Sequence, residues 1–290
     1  AWREFMEARG HTMPPPLRHE DKGFMADWFL ESLEQDTGVR PDFLALLRED
    51  GGNRLELRDF AKHVRWNDIE CVAMDPRKVQ YNGTGSPTAG GRVLTHVYQK
   101  LGMQPFQRLR GELDPFVHAV RDRALVVQNG QRGRWVGDDK LCLAIMFDPG
   151  FKHLFEASDW DMLQNYVPWS RNMRRLDAIV VDAVRGERER YVLKRGLDTR
   201  GNGVIVGRGV TAERWAEAVG TAIAEGWLVQ EYHATTWIER DFDVPDMQRH
   251  DIALGAINGE LTTVFMISSG ELRVNMSRSG RMHPLFLGRN

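Results

Sequence analysis

Only two cysteines occur in the chain, Cys71 and Cys142, far apart and without a second Cys or His at zinc-ligand spacing, so neither a disulfide framework nor a zinc site is indicated. No apolar run approaches the roughly 20 residues that span a bilayer, and Ala1 to Arg9 is amphipathic and charged, unlike a secretory signal. A large charge of one sign is missing as well. With 39 Lys and Arg against 41 Asp and Glu the formal net charge is -2, which gives no global attraction to nucleic acid or an anionic membrane. These absences point to a cytoplasmic protein with no nucleic-acid or membrane partner. There is no internal repeat, and a first residue other than Met points to a preceding segment.

What is present is a globular composition. Hydrophobic residues make up 42% and charged residues 28% of 290 positions, enough for one large or two smaller domains with a sizeable core. A connector from His11 to Leu17 holds Pro14, Pro15 and Pro16. From Phe24 to Leu33, Phe24, Met25, Trp28, Phe29 and Leu33 fall at helical spacing. A second helix-like piece covers Phe43 to Leu47 and stops at Asp50-Gly51-Gly52. Asp75 to Gly91 is glycine-rich but lacks a Lys-Ser/Thr ending, so it reads as a plain loop. Val93 to Tyr98 alternates like a strand, and Ala124 to Gln128 is a buried strand entering the Asn129-Gly130 bend.

Further on, Lys140 stands at the mouth of the continuously apolar Leu141 to Phe147. Tyr166 to Ser170 is an extended connection, and Asp177 to Arg190 reads as a solvated charged segment. Tyr191 to Lys194 is a short strand, followed by a glycine loop and the strand Val204 to Val206. Thr211 caps a helix that carries Trp215, Ala218, Val219 and Ile223 on one face and stops at Gly226. Trp227 to Tyr232 is the next strand. Ile252 to Ile257 and Leu261 to Ile267 then pair across Asn258-Gly259, with Leu272 to Met276 as a third strand.

One order of elements carries chemistry. A lysine leaving a strand (Lys194), a loop Asp198-Thr199-Arg200-Gly201-Asn202-Gly203, a helix, and a strand ending Gln230-Glu231-Tyr232 supply in turn what an ATP site needs. Those needs are a cation for the phosphates, backbone N-H groups that approach them without a Cβ clash, and a strand edge for the adenine. The histidines are scattered without metal spacing, and no Ser-His-Asp or Cys-His arrangement stands out. Trp66, between Arg65 and Asn67, is a candidate ligand platform, while most of the other tryptophans read as core.

At these residues the chain resembles the ATP-grasp superfamily. Asp139-Lys140-Leu141 with its apolar sequel, and Val167-Pro168-Trp169-Ser170, resemble its circularly permuted branch, the glutathionylspermidine synthase-like carboxylate-amine ligases. The resemblance covers roughly residues 93 to 280 and is most specific from Lys194 to Tyr232. It implies an α+β fold of two subdomains enclosing ATP, with residues 1-138 as a substrate-side subdomain and connector and 139-290 as the nucleotide-binding region. It implies that Lys140, Lys194, Arg200, Gly201, Asn202, Gly203, Gln230, Glu231 and Tyr232 hold ATP. Arg273 would stand at a catalytic position that a Glu fills in the unpermuted pattern, and Asn275 would touch magnesium. No Glu-x-Asn precedes Lys140, and Phe265-Met266 stand where the family tends to carry an arginine. The implied activity is ADP-forming ligation through an acyl phosphate, with a small-molecule or peptide acid and amine as substrates and ATP and Mg2+ as cofactors. The competing expectations are a degenerate nucleotide-binding or scaffold domain partnering an intact subunit, and kinase-like phosphoryl transfer on the same fold. A homo-oligomer is compatible with either.

Overall fold

A computed structural model describes residues 7–10, 12, 23–49, 54–198, 201–235, 237–238, 248–257, 260–276 and 279–285. The Pro14 to Pro16 connector, the Asp50-Gly51-Gly52 stop, Arg200 and the Asn258-Gly259 turn lie outside the described residues. The chain is an α+β protein of two compact units, one spanning Glu20–Val136 and the other containing Gly137–Asn290.

In the first unit, helix α1 (Phe24–Thr37) ends at Gly38, whose φ of 71° lets its N-H reach the Glu34 carbonyl at 2.8 Å. Phe43–Leu47 is strand β1, not a helix. Five consecutive apolar residues carry no 3.6-residue period, and here they serve a central parallel strand buried on both faces. Leu44 and Leu46 pack with Phe29, Leu30 and Leu33 of α1 and with Leu57 and Val64 of helix α2 (Arg54–Arg65). Ala45 and Leu47 face the other way, onto Val97, Phe116 and Ala119.

Strand β2 (Glu70–Met74) flanks β1 on one side. The alternating stretch before Tyr98 is broken in two. Strands β3 (Thr88–Ala89) and β4 (Arg92–Val93) form a tight hairpin over Gly90 and Gly91, both at positive φ, and β5 (His96–Gln99) then joins the main sheet. Helices α3 (Met103–Arg108) and α4 (Asp114–Arg121) precede strand β6 (Val126–Gln128), and helix α5 (Gln131–Gly137) follows it. The sheet order is β2-β1-β5-β6, all parallel.

In the second unit the buried element after Lys140 is a single helical turn, α6 (Cys142–Ile145). Helix α7 (Ala157–Tyr166) leads to strand β7 (Ser170–Asn172). The charged stretch after Asp177 is not simply solvated. It forms helix α8 (Ala178–Gly186), capped by the Asp177 carboxylate on the Val180 N-H at 2.9 Å and anchored by buried Val184. Strand β8 (Tyr191–Lys194) pairs with β9 (Val204–Val206) and with β10 (Leu228–Glu231), giving an antiparallel sheet β7-β10-β8-β9.

Helix α9 (Ala212–Glu225) covers that sheet. Its N-terminus is held by Thr211 Oγ1, which accepts from the Arg214 N-H, and its C-terminus turns at Gly226 with φ 74°. Trp215, Ala218, Val219 and Ala222 pack against Leu193 and Val229, and the Trp215 indole N-H donates to the Val184 carbonyl at 2.8 Å. A second antiparallel sheet follows: β11 (Trp237–Ile238), β12 (Gln248–Ile257), β13 (Glu260–Ser269) and β14 (Arg281–Pro284). Leu272 to Met276 is not a strand. That segment turns away after β13, and the third long partner in the ladder is β14.

Candidate nucleotide site

Lys194 ends β8 in the middle of the first antiparallel sheet of the second unit. Its Nζ donates to Gln230 Oε1 at 2.5 Å, and Gln230 Nε2 donates to Ser170 Oγ at 2.8 Å. The Ser170 hydroxyl donates in turn to the Pro168 carbonyl at 2.8 Å. This relay follows from strand register, because Gln230 lies opposite Val192 on one side and Ser170 on the other. Burial lowers the Lys194 pKa below its ordinary 10.5, the nearby charge of Lys140 lowers it further, and Asp251 opposes both.

Lys140 reaches the same region from a different element. The Asp139 carboxylate accepts from the Leu141 N-H at 2.9 Å and closes a turn, while the Lys140 N-H donates to the Gly196 carbonyl at 3.3 Å. Its ammonium donates to the carbonyls of Arg195 at 3.3 Å, Gly196 at 3.1 Å and Asp198. Burial lowers its pKa also, offset by Asp198, Asp139 and Asp138. The Asp-Lys-Leu segment therefore docks on the base of the glycine loop.

Both lysines line one cavity of about 350 Å³, together with Gly201, Gln230, Glu231, Tyr232, Arg273 and Asn275. Arg273 Nη1 donates to the Gly201 carbonyl at 2.6 Å and the Val204 carbonyl at 3.0 Å, so it ties the loop down. Gly201 has φ 71°, and a Cβ there would stand 3.0 Å from Asn275 Nδ2 and 3.2 Å from Arg273 Cδ. Glycine is thus required both by conformation and by close approach. The Tyr232 ring is covered by the Arg208 guanidinium, 4.2 Å from its centroid. Glu231 sits 3.8 Å from both Arg190 and His233.

Not every anticipated residue is on this wall. Gly203, at φ 60°, shapes the loop against Arg195 and Asp198 but does not line the cavity, Asn202 is exposed, and Arg200 lies outside the described residues. The carboxamide of Gln230 is engaged by Lys194 and Ser170, so its side chain positions the lysine. Among the wall residues that a reading of the sequence does not single out are Asp251 on β12 and Thr235, whose hydroxyl is buried without a hydrogen-bond partner among the described residues. Asp251 closes the polar run Gln248-Arg249-His250 that opens β12, just before the apolar Ile252, and nothing in that spacing marks it as a site residue. Trp66 is 58% exposed, edge-on to His63 at 4.5 Å and under the Lys62 ammonium at 5.2 Å, in the other unit.

Among the described residues no group of three or more His, Cys, Asp or Glu forms a metal site. Asp251 and Asn275, both with side-chain oxygens, are among the residues that line the cavity. Magnesium commonly takes one or two protein oxygens and completes its shell with phosphates and water, so this donor set fits it only when a nucleotide is present. Among the described residues no helix is long and apolar enough to cross a membrane.

No protein-family model matches the chain, and no curated protein matches it. Among solved structures the chain is similar to the ATP-grasp ligase PsnB complexed with a minimal precursor, at 14% identity over 87% of this chain and 78% of that one, with a TM-score of 0.49. It is similar to the macrocyclase MdnC bound with precursor peptide MdnA from Microcystis aeruginosa, at 12% identity, 85% and 79% coverage and a TM-score of 0.46. D-alanyl-alanine synthetase A from Vibrio cholerae is similar at 11% identity, 79% and 67% coverage and a TM-score of 0.41.

Proposed function

We propose that the cavity holding Lys140 and Lys194 binds ATP and that the chain is an ADP-forming carboxylate-amine ligase with the ATP-grasp arrangement. The observation that carries this reading is the convergence of two ammonium groups, from elements 54 positions apart, on one partly desolvated cavity under a glycine loop. Each lysine has its pKa lowered by burial, and like charges side by side favour a polyanionic guest. A triphosphate is such a guest, and fixed cations stabilise the charge that develops on a transferring phosphoryl group.

In this reading the acid's carboxylate oxygen bonds to the γ-phosphorus as the bond to ADP breaks. The amine nitrogen then bonds to the acyl carbon, phosphate leaves, and the amine gives up a proton. Lys140 and Lys194 hold the phosphates, Arg273 keeps Gly201 closed over them, and the Glu231-Tyr232 backbone faces the base. Magnesium, when bound, supplies further charge neutralisation, with Asp251 and Asn275 as its protein oxygens. The finer placement in the permuted, glutathionylspermidine synthase-like branch rests on Asp139-Lys140-Leu141 and Val167-Pro168-Trp169-Ser170.

The second reading is a nucleotide-binding domain partnering an intact subunit. It is favoured by Arg273 standing where the resemblance calls for an acid. Incubation with ATP, Mg2+ and pooled acids and amines separates the two. The ligase releases ADP only when acid and amine are both present, and Lys194→Ala abolishes that release. A binding domain is stabilised by ATP without turnover.

A further inference from the structure

We infer that the unit Glu20–Val136 contains a second ligand site, one that takes a zwitterionic α-amino acid with an aromatic side chain. The site is a cavity of about 530 Å³ lined by one side of α2, by Met25 and Ala26 of α1 and by Tyr98 of β5. Cavities of roughly 300–1,000 Å³ suit small molecules. Among the described residues it shares no lining side chain with the cavity of Lys140 and Lys194. The inference therefore does not depend on the nucleotide reading.

Two opposite charges stand on this wall without cancelling each other. Asp59 and Lys62 both line the cavity and are both exposed, the Asp59 side chain by 71%, so a guest can reach them. Among the described residues no ion pair joins the two. Asp59 has the His63 imidazole 3.7 Å away, and the Lys62 ammonium lies 5.2 Å from the Trp66 ring centroid. Glu56, also on the wall, is already paired with Lys100. Residues three apart on a helix hold their Cβ atoms roughly 5–6 Å apart. An ammonium and a carboxylate carried on one carbon span that gap, the ammonium towards Asp59 and the carboxylate towards Lys62. A guest with a cation alone would face Lys62, and one with an anion alone would face Asp59. The zwitterion meets neither repulsion. Aromatic rings supply the rest of the wall. Phe60 and Tyr98 are stacked with centroids 5.4 Å apart, His63 is edge-on to Trp66, and Trp66 and Met25 keep much of their apolar surface in water. An exposed indole beside exposed thioether surface gives an aromatic side chain a face to lie on and withdraws that surface from water.

L-Phenylalanine, 2-phenylethylamine, 3-phenylpropionate and L-alanine, titrated calorimetrically into the full chain, test the assignment. L-Phenylalanine should bind with Kd on the order of 1 mM or tighter. The amine without the carboxylate, the carboxylate without the amine, and the amino acid without the ring should each bind about fivefold or more weaker. Lys62→Met should erase the advantage over 2-phenylethylamine alone, and Asp59→Asn the advantage over 3-phenylpropionate alone. Both residues are exposed, so the melt of each variant should stay cooperative, and the comparison of the four ligands on the wild-type chain needs no variant. Absence of L-phenylalanine binding overturns the proposal, as does any of the three partial ligands binding less than about fivefold weaker than it. So does a folded Lys62 or Asp59 variant that keeps the full advantage. The ATP-induced Tm shift of wild type and Asp59→Asn should coincide, which separates failure here from failure at the lysine site.

Discussion

The Lys194 ammonium donates to the carboxamide oxygen of Gln230 at 2.5 Å, a neutral acceptor where a carboxylate would have cancelled its charge. The lysine is oriented by strand register, and its hydrogen-bond partner leaves the ammonium charge uncancelled.

Gln230→Glu should therefore weaken ATP binding despite preserving shape, because a carboxylate competes with phosphate for the same ammonium. Lys194→Ala should weaken it more, by about 1.5–3 kcal/mol for a lost charge-assisted hydrogen bond, roughly 10- to 150-fold in Kd. Isothermal titration with ATP measures both. Unchanged affinity in Lys194→Ala would remove Lys194 from the phosphate site.

The lowered pKa of Lys194 gives a pH signature. The folded state binds fewer protons than the unfolded state between the lowered value and 10.5, so stability of the ligand-free chain should rise with pH through that window. ATP favours the charged lysine, so its affinity should fall as pH rises, beginning below 10.5. Melting curves with and without ATP across alkaline pH read both trends, and Lys194→Met should reduce both to the share that Lys140 contributes.

Gly201→Ala meets two obstacles at once, a φ of 71° and contacts with Asn275 and Arg273. The backbone cost alone is about 1–2 kcal/mol. The loop should come away from Arg273, with faster proteolysis near residue 201 and weaker ATP binding, while α9 and its core stay folded.

Trp215→Phe tests the core rather than the site. Trp215 is 1% exposed, and its N-H satisfies the Val184 carbonyl. Losing that bond and part of the ring should cost roughly 2–4 kcal/mol, read as a lower Tm.

Sequence makes visible what local chemistry decides. Thr211 and Gly226 bracket α9 because a hydroxyl cap and a left-handed glycine are local devices, and the strand ending in Lys194 shows in its own residues. Phe43 to Leu47 misleads because a strand buried on both faces has no period to betray it. Leu272 to Met276 misleads because strand-like composition does not supply a partner, and the ladder beside β13 is taken by Arg281–Pro284. Asp251 is hidden for a different reason. Its significance lies in which cavity it lines, a matter of distant packing that spacing along the chain does not encode.

The far end of the β8-β9 hairpin is cross-stitched. Arg188 Nη1 donates to the carbonyls of Gly207 at 2.9 Å and Val210 at 3.0 Å, and Arg208 returns the bond to the Glu189 carbonyl at 3.2 Å. A Cβ on Gly207 would collide with the Arg188 carbonyl oxygen, so the two backbones lie flush there. The hairpin is welded at its root, while its loop is held by Arg273 on the Gly201 and Val204 carbonyls and by Lys140 on the Arg195 and Gly196 carbonyls. Replacing either side chain should loosen the loop without parting β8 from β9.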